Sequence, residues 1–193
     1  MEKLNKEKAL ARAAETSDLT GTDLSGLDLS KTNLSRVDFR GANLKGTDFH
    51  NANLTEAEFR DAKMNGANFS GAQMGRAVLI GAHIIGANFT SAHMVGAFLN
   101  GTQASGANFR KADLRAARIG GPNFQSVDPF GVATSFEGAD MTWCLFGAAD
   151  LTGVDLRNTN LSHAHMYETE MRSAHLEGAN LAEVRLKREP NSQ

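Results

Sequence analysis

The sequence is short of the residues that usually staple, kink or anchor a chain. Its 193 residues include one cysteine, three prolines, one tryptophan and one tyrosine. The single thiol, Cys144, excludes an internal disulfide and any cysteine-built zinc site. No apolar run approaches the ~18 residues of a membrane span. Residues Met1 to Lys6 lack the apolar centre of a signal peptide. A soluble cytoplasmic protein without membrane attachment is expected. Neither sign of charge dominates, with 20 Lys+Arg against 22 Asp+Glu and a net charge of −2. The halves are balanced too, at 11 basic and 11 acidic over residues 1–96, then 9 and 11 over 97–193. A generic nucleic-acid binder is basic, so direct nucleic-acid binding is not expected. A strongly acidic DNA mimic is disfavoured on the same count.

What is abundant is glycine, 19 residues, and it recurs with a period. Ala42-Asn43-Leu44-Lys45-Gly46 is followed by Ala52-Asn53-Leu54-Thr55-Glu56 and later by Ala67-Asn68-Phe69-Ser70-Gly71. Large residues stand every five positions from Leu19 to Phe124 and again from Phe136 to Leu186. Of these 33 centres, 32 are Leu, Phe, Met or Ile, the exception being Ala104. Two residues before most centres sits a small residue, usually Ala, with Leu27 and Pro122 as misfits.

A helix cannot use this period, because five residues advance it by about 500° and leave no stripe. In extended chain, positions two apart share a face. The small residue and the centre then point inward, the polar residue between them points outward, and the next two residues suit a turn. Strand, turn, strand with one side always inward is a coil wound around a core. The period alone leaves open how many strands close one coil.

The pattern Ala-(Asp/Asn)-(Leu/Phe)-x-x resembles the pentapeptide-repeat family over residues 17–186. The resemblance implies an all-β fold, a right-handed quadrilateral β-helix with four pentapeptides per coil. The 33 centres then give about eight coils and a rod of ~40 Å. Residues 20 apart would stack, so Leu29, Phe49, Phe69, Phe89 and Phe109 would form one internal ladder. Leu34, Leu54, Met74, Met94 and Leu114 would form another. Ala104 would lie between Ile84 and Phe124, leaving a void or room for Phe124 to lean in.

The chain divides at one register break. A first run covers 17–124, a break or loop 125–135 and a second run 136–186, because Phe124 and Phe136 are not a multiple of five apart. Pro129 cannot donate to a ladder, and the break reads as a structural kink. Residues 1–16 are rich in helix formers and read as a short capping helix or a frayed tail. Residues 187–193 form a polar C-terminal tail.

No constellation for chemistry stands out. The repeated Asp residues sit on a convex surface, without the shielded pocket that acid–base work needs. No phosphate-binding glycine loop or nucleophile elbow is present. His163 and His165 flank inward Ala164, and a metal there would need a third ligand such as Glu168 or Glu183. The plainer reading is surface histidines, and no metal, cofactor or catalytic residue is expected. Cys144 stands at a small inward position and reads as a packing thiol.

The surface carries two apolar sets. Phe98 precedes centre Leu99 and points outward, with Val78 beneath it and Ile80, Val95 and Ile85 nearby. Trp143 and Leu145 are outward beyond the break, with His163 and His165 stacked at plus 20 and Tyr167 adjacent. Contiguous apolar surface marks contact sites, and Trp and Tyr are enriched in hot spots. Val78, Ile80, Val95, Phe98, Trp143, Leu145, His163, His165 and Tyr167 are therefore the candidate protein-contact residues. The function expected is that of a non-enzymatic rod engaging a protein partner of unknown identity, with a homodimer through a patch or coil end also open. The family resemblance implies an alternative: a DNA-mimicking binder of DNA gyrase or topoisomerase IV that protects against quinolones or toxins. The balanced charge and the lack of a C-terminal dimerisation helix depart from that pattern.

Overall fold

The computed structural model describes residues 1–121, Phe124 and 132–186. The expected break at 125–135 lies mostly outside the described residues, and the tail at 187–193 wholly so. Over most of the first run, the residue before a centre forms a parallel bridge with its equivalent 20 residues on, as in Asp28 with Asp48 and Asn68 with Asn88. Four pentapeptides therefore close one four-sided coil. Each side is named here by its first centre: face I begins at Leu19, face II at Leu24, face III at Leu29 and face IV at Leu34.

The five-residue unit satisfies its backbone twice over. The N–H of a centre donates to the next coil, Phe69 to the carbonyl of Asn88 at 2.7 Å. The N–H of the following small residue turns back, Ala72 to the carbonyl of Phe69 at 3.0 Å. The corner residue between them has positive φ and also donates upward, Gly71 to Thr90 at 2.9 Å. With backbone groups paired between coils, stacking neither needs nor leaves a free sheet edge along the rod.

The interior is columns of side chains. On face III the rings of Phe49, Phe69, Phe89 and Phe109 stack with centroids 4.8–5.0 Å apart. Phe39 and Phe59 stack at 5.0 Å on face I and meet the face III rings edge-on. The centres from Leu19 to Ile119 are buried, and Ala between them leaves room for the rings.

Across the break the partners are 27 residues apart rather than 20: Asn108 with Ser135, Asp113 with Asp140, Arg118 with Leu145. Seven additional residues thus enter on face II, between Gly121 and Val132, while the other faces continue. Phe109 stacks on Phe136 at 4.7 Å as though the coils were consecutive. Phe124 is buried above the small Ala104 and leans across, edge-on to Phe136 at 5.2 Å and Phe109 at 6.3 Å. Thr134 repairs the backbone there. Its buried Oγ1 accepts from the N–H of Gly106 at 3.0 Å and donates to the carbonyl of Ala104 at 3.0 Å. In the regular coil below, the equivalent N–H of Gly86 uses the carbonyl of Ser105.

The first coil is covered from the N-terminal side. Lys3 bridges to Asp23 and buries Leu4. Helix α1, Lys6–Thr16, follows. Asn5 caps it by accepting from the N–H of Lys8 at 2.9 Å, and Ser17 ends it in the left-handed region. Its Ala9 and Ala13 are buried in the core cluster, with Leu10 packed against it. In the last described coil the inward positions are less covered, with Leu181 46% and Leu186 60% exposed.

Candidate functional site

The outward carboxylates and amides are spent on the turns. The Oδ1 of Asp or Asn before a centre accepts from the N–H two residues on, as in Asp18 to Thr20 at 2.8 Å and Asp28 to Ser30 at 2.9 Å. Hydrogen bonding to the ionised form favours it. The hydroxyl and N–H of Ser30, aided by Lys6, hold Asp28 down at about 2. The guanidinium of Arg157 does the same for Asp155, also at about 2. These groups are fixed as anions that lock turns. Burial pushes the Cys144 thiol well above its ordinary range, and its Sγ donates to the carbonyl of Leu114 at 2.9 Å.

The histidines are dispersed in their partnerships. His163 stacks on Trp143 with centroids 4.4 Å apart, and its Nδ1 lies 3.0 Å from Glu183 Oε2. His165 is edge-on to Tyr167 at 5.5 Å instead. Among the described residues no three His, Cys, Asp or Glu side chains converge as a metal site would require. A depression of about 320 Å³ lies beside the break, lined by Ala133, Gly153, Asp155, Arg157 and His175. Its two charged residues already pair with each other at 2.9 Å.

The apolar residues differ from a pair of bare patches. Val78 is buried, 9% exposed, between its column neighbours Glu58 and Phe98. Ile80 and Ile85 are half-buried. Phe98 is half-buried as well, because the Arg118 guanidinium carbon sits 5.2 Å above its ring centroid. The expectation of an open Val78–Phe98 surface is corrected accordingly: stacking hides β-branched and aromatic side chains that project from a flat face. Val95 and Leu145 stay 39% exposed and Trp143 52%. His163, His165 and Tyr167 are half-buried.

The two sets lie on one edge. Glu58, Val78, Phe98, Arg118, Leu145, His165 and Arg185 bridge in succession down the middle of face I. The adjoining corner, where face IV turns into face I, carries Gly96, Ala116, Trp143 and His163, all with φ between 55° and 67°. Sequence reasoning missed this juxtaposition and the cover that Arg118 gives Phe98. The signal needed was the 27-residue spacing, which a five-residue period broken by a loop does not reveal. Trp143 has φ 61°, which is uncommon for a bulky residue and costs of order 1 kcal/mol or more.

A family model described as "Pentapeptide repeats" matches in eight copies, spanning residues 17–121 and 149–188. The fold is similar to that of a trypsin-treated variant of QnrB1, described as a plasmid-mediated fluoroquinolone resistance protein. That match has TM-score 0.67 and 18% identity, and covers 96% of this chain and 88% of the other. It is also similar to HetL from the cyanobacterium Nostoc sp. strain PCC 7120, a pentapeptide repeat protein involved in heterocyst differentiation regulation. There the TM-score is 0.51 and the identity 21%, with 94% of each chain covered. No protein among the curated ones matches. These likenesses establish the architecture as a right-handed quadrilateral β-helix.

Proposed function

The chain belongs to the pentapeptide-repeat family, and from that premise we propose that it acts without catalysis, as a rigid rod presenting one edge to a protein partner in the cytoplasm. Trp143 carries this reading. The chain's single tryptophan stands half-exposed on a corner, in a backbone conformation that glycine fills at many other corners. Strained backbone persists where something else is gained, and an exposed Trp is a hot-spot residue. Stacking on His163 fixes the ring before any partner arrives, which lowers the ordering cost of binding. Val95, Phe98 and Leu145 extend the surface along the same edge.

The test is affinity capture from native extract, comparing the protein with a Trp143→Asp/Leu145→Asp variant of unchanged thermal midpoint. The proposal expects specific partners to be depleted in the variant. Identical captured sets would count against it.

A second reading has the fold likeness to QnrB1 in its favour: binding of DNA gyrase or topoisomerase IV. Mimicry of duplex DNA calls for a strongly negative surface. The net charge of −2 and the arginines along the rod run against it. A supercoiling assay separates the two. The rod reading expects no inhibition at low micromolar protein, whereas potent, salt-sensitive inhibition would favour gyrase.

A further inference from the structure

We infer that the edge at Trp143 receives an acidic polypeptide segment carrying aliphatic or aromatic side chains. The inference rests on the interaction-rod reading and names the chemistry of the partner. Its basis is the distribution of arginines that lack a counter-charge. Eight of the eleven described arginines lie within 4.0 Å of a carboxylate. The three without such a partner among the described residues are Arg76, Arg118 and Arg185. All three are exposed, and all three sit on face I or its corner with face IV. In the lowest coils the repeat pairs its arginines with a carboxylate two residues before or one coil away, as with Asp38 and Arg40 or Arg36 and Glu56. Higher on the same edge those places are taken or apolar: Glu56, one coil from Arg76, pairs with Arg36, Glu183, two residues before Arg185, lies against His163, and Arg118 has Ala116, Phe98 and Leu145 there.

The carboxylates nearest the edge are engaged. Glu183 lies against His163, and Asp113 and Asp140 face Arg115. Arg118 rests over the Phe98 ring, so its guanidinium is held in place and keeps its donors free for a carboxylate. The stem of Arg76 lies along Gly96, with its Cγ 3.7 Å from where a Cβ would stand. Between Arg76 and Trp143 the corner carries only Gly96 and Ala116, a low stretch spanning three strand spacings, about 14 Å. An extended segment of four or five residues covers that length. It would place an apolar side chain against Trp143, Leu145 and Val95, and carboxylates on Arg76 and Arg118. Arginine pairs bidentately with carboxylates, and such pairs strengthen as water leaves an apolar contact.

The experiment pans a displayed library of random 12-residue peptides against the purified protein. Enriched peptides free of tryptophan are then titrated while emission from Trp143, the chain's single tryptophan, is followed. The expected winners join Asp or Glu to Leu, Ile or Phe, and shift the emission to the blue. They bind about tenfold or more weakly to Arg118→Glu, with Arg118→Gln intermediate and the thermal midpoint unchanged in both. Winners without acidic bias, or equal binding to Arg118→Glu, would overturn the inference. So would a concentration-dependent dimer abolished by Leu145→Asp, which would give the edge to a second copy, or saturable duplex DNA binding that shifts Trp143. Acidic peptides that leave Trp143 emission unchanged would overturn this edge while leaving the rod reading intact. No enrichment at all, joined with identical captured sets in the extract experiment, would overturn both.

Discussion

The coils below the break and those above it share an interior and differ in what they show to solvent. Below it, Leu99 donates to the carbonyl of Arg118 at 2.8 Å. Across it, Ile119 donates to Leu145 at the same distance, although seven more residues intervene. Ring spacing is equally indifferent, 4.8 Å for Phe89–Phe109 and 4.7 Å for Phe109–Phe136. Outside, the lower coils carry amide and carboxylate ladders, Asn68 donating to Asp48 at 2.9 Å and Asn88 to Asn68 at 3.2 Å. The upper coils keep such a ladder, Asn180 donating to Asn160 at 3.0 Å, and add Trp143 stacked on His163 at one corner. The interior obeys a packing rule that admits few residues. The exterior is free to vary, and that is where function on a repeat scaffold resides.

The sharpest way to separate inside from outside is to truncate one residue of each. Phe69→Ala removes a ring stacked between Phe49 and Phe89, and should cost ~3–5 kcal/mol in chemical denaturation. Asn68→Ala, one residue away on the outside, should cost ~1 kcal/mol. Similar losses would erase the distinction.

A smaller effect is expected where the break is repaired. Thr134→Val keeps the shape but removes the acceptor for Gly106 and should cost about 1–3 kcal/mol. Thr102→Val, whose hydroxyl donates to the carbonyl of Leu99 and accepts from no N–H among the described residues, should cost about 1 kcal/mol or less. Equal costs would mean that the break needs no repair.

Smaller still is the acid dependence, in which the two runs should behave alike. Asp28 below and Asp155 above are both held at about 2, against about 3.9 in an unfolded chain. A lowered folded value gives stability that is present above pH ~4 and lost as pH falls towards 2. The thermal midpoint should decline across that window, less steeply in Asp155→Asn. An unchanged slope would remove Asp155 from the acid response.

The solenoid was legible because its five-residue period is incompatible with a helix and recurs through 33 centres. The inward pairing of Ala67 with Phe69, and the stacking of Phe49, Phe69 and Phe89, follow from that period and from four-sided coils. The edge was not legible as one surface. Phe98 and Trp143 are separated by a stretch whose length breaks the count, so no rule of fives or twenties places Leu145 above Arg118. Nor does alternation along a strand say that Arg118 will fold over Phe98, since that depends on the neighbouring coil. Trp143 could be read as outward, but its place on a positive-φ corner required the turn geometry.

The claim on which the single edge depends is that the second run docks on the first in register, across the extra residues. A double-mutant cycle on Phe109 and Phe136, each changed to Leu singly and together, tests it most directly. The two ring centroids are 4.7 Å apart and the rings are nearly parallel.

 The account predicts a coupling of about 0.5–1.5 kcal/mol between the two positions. Costs that add to within about 0.3 kcal/mol would contradict it, because rings that do not touch cannot place Arg118 beside Leu145.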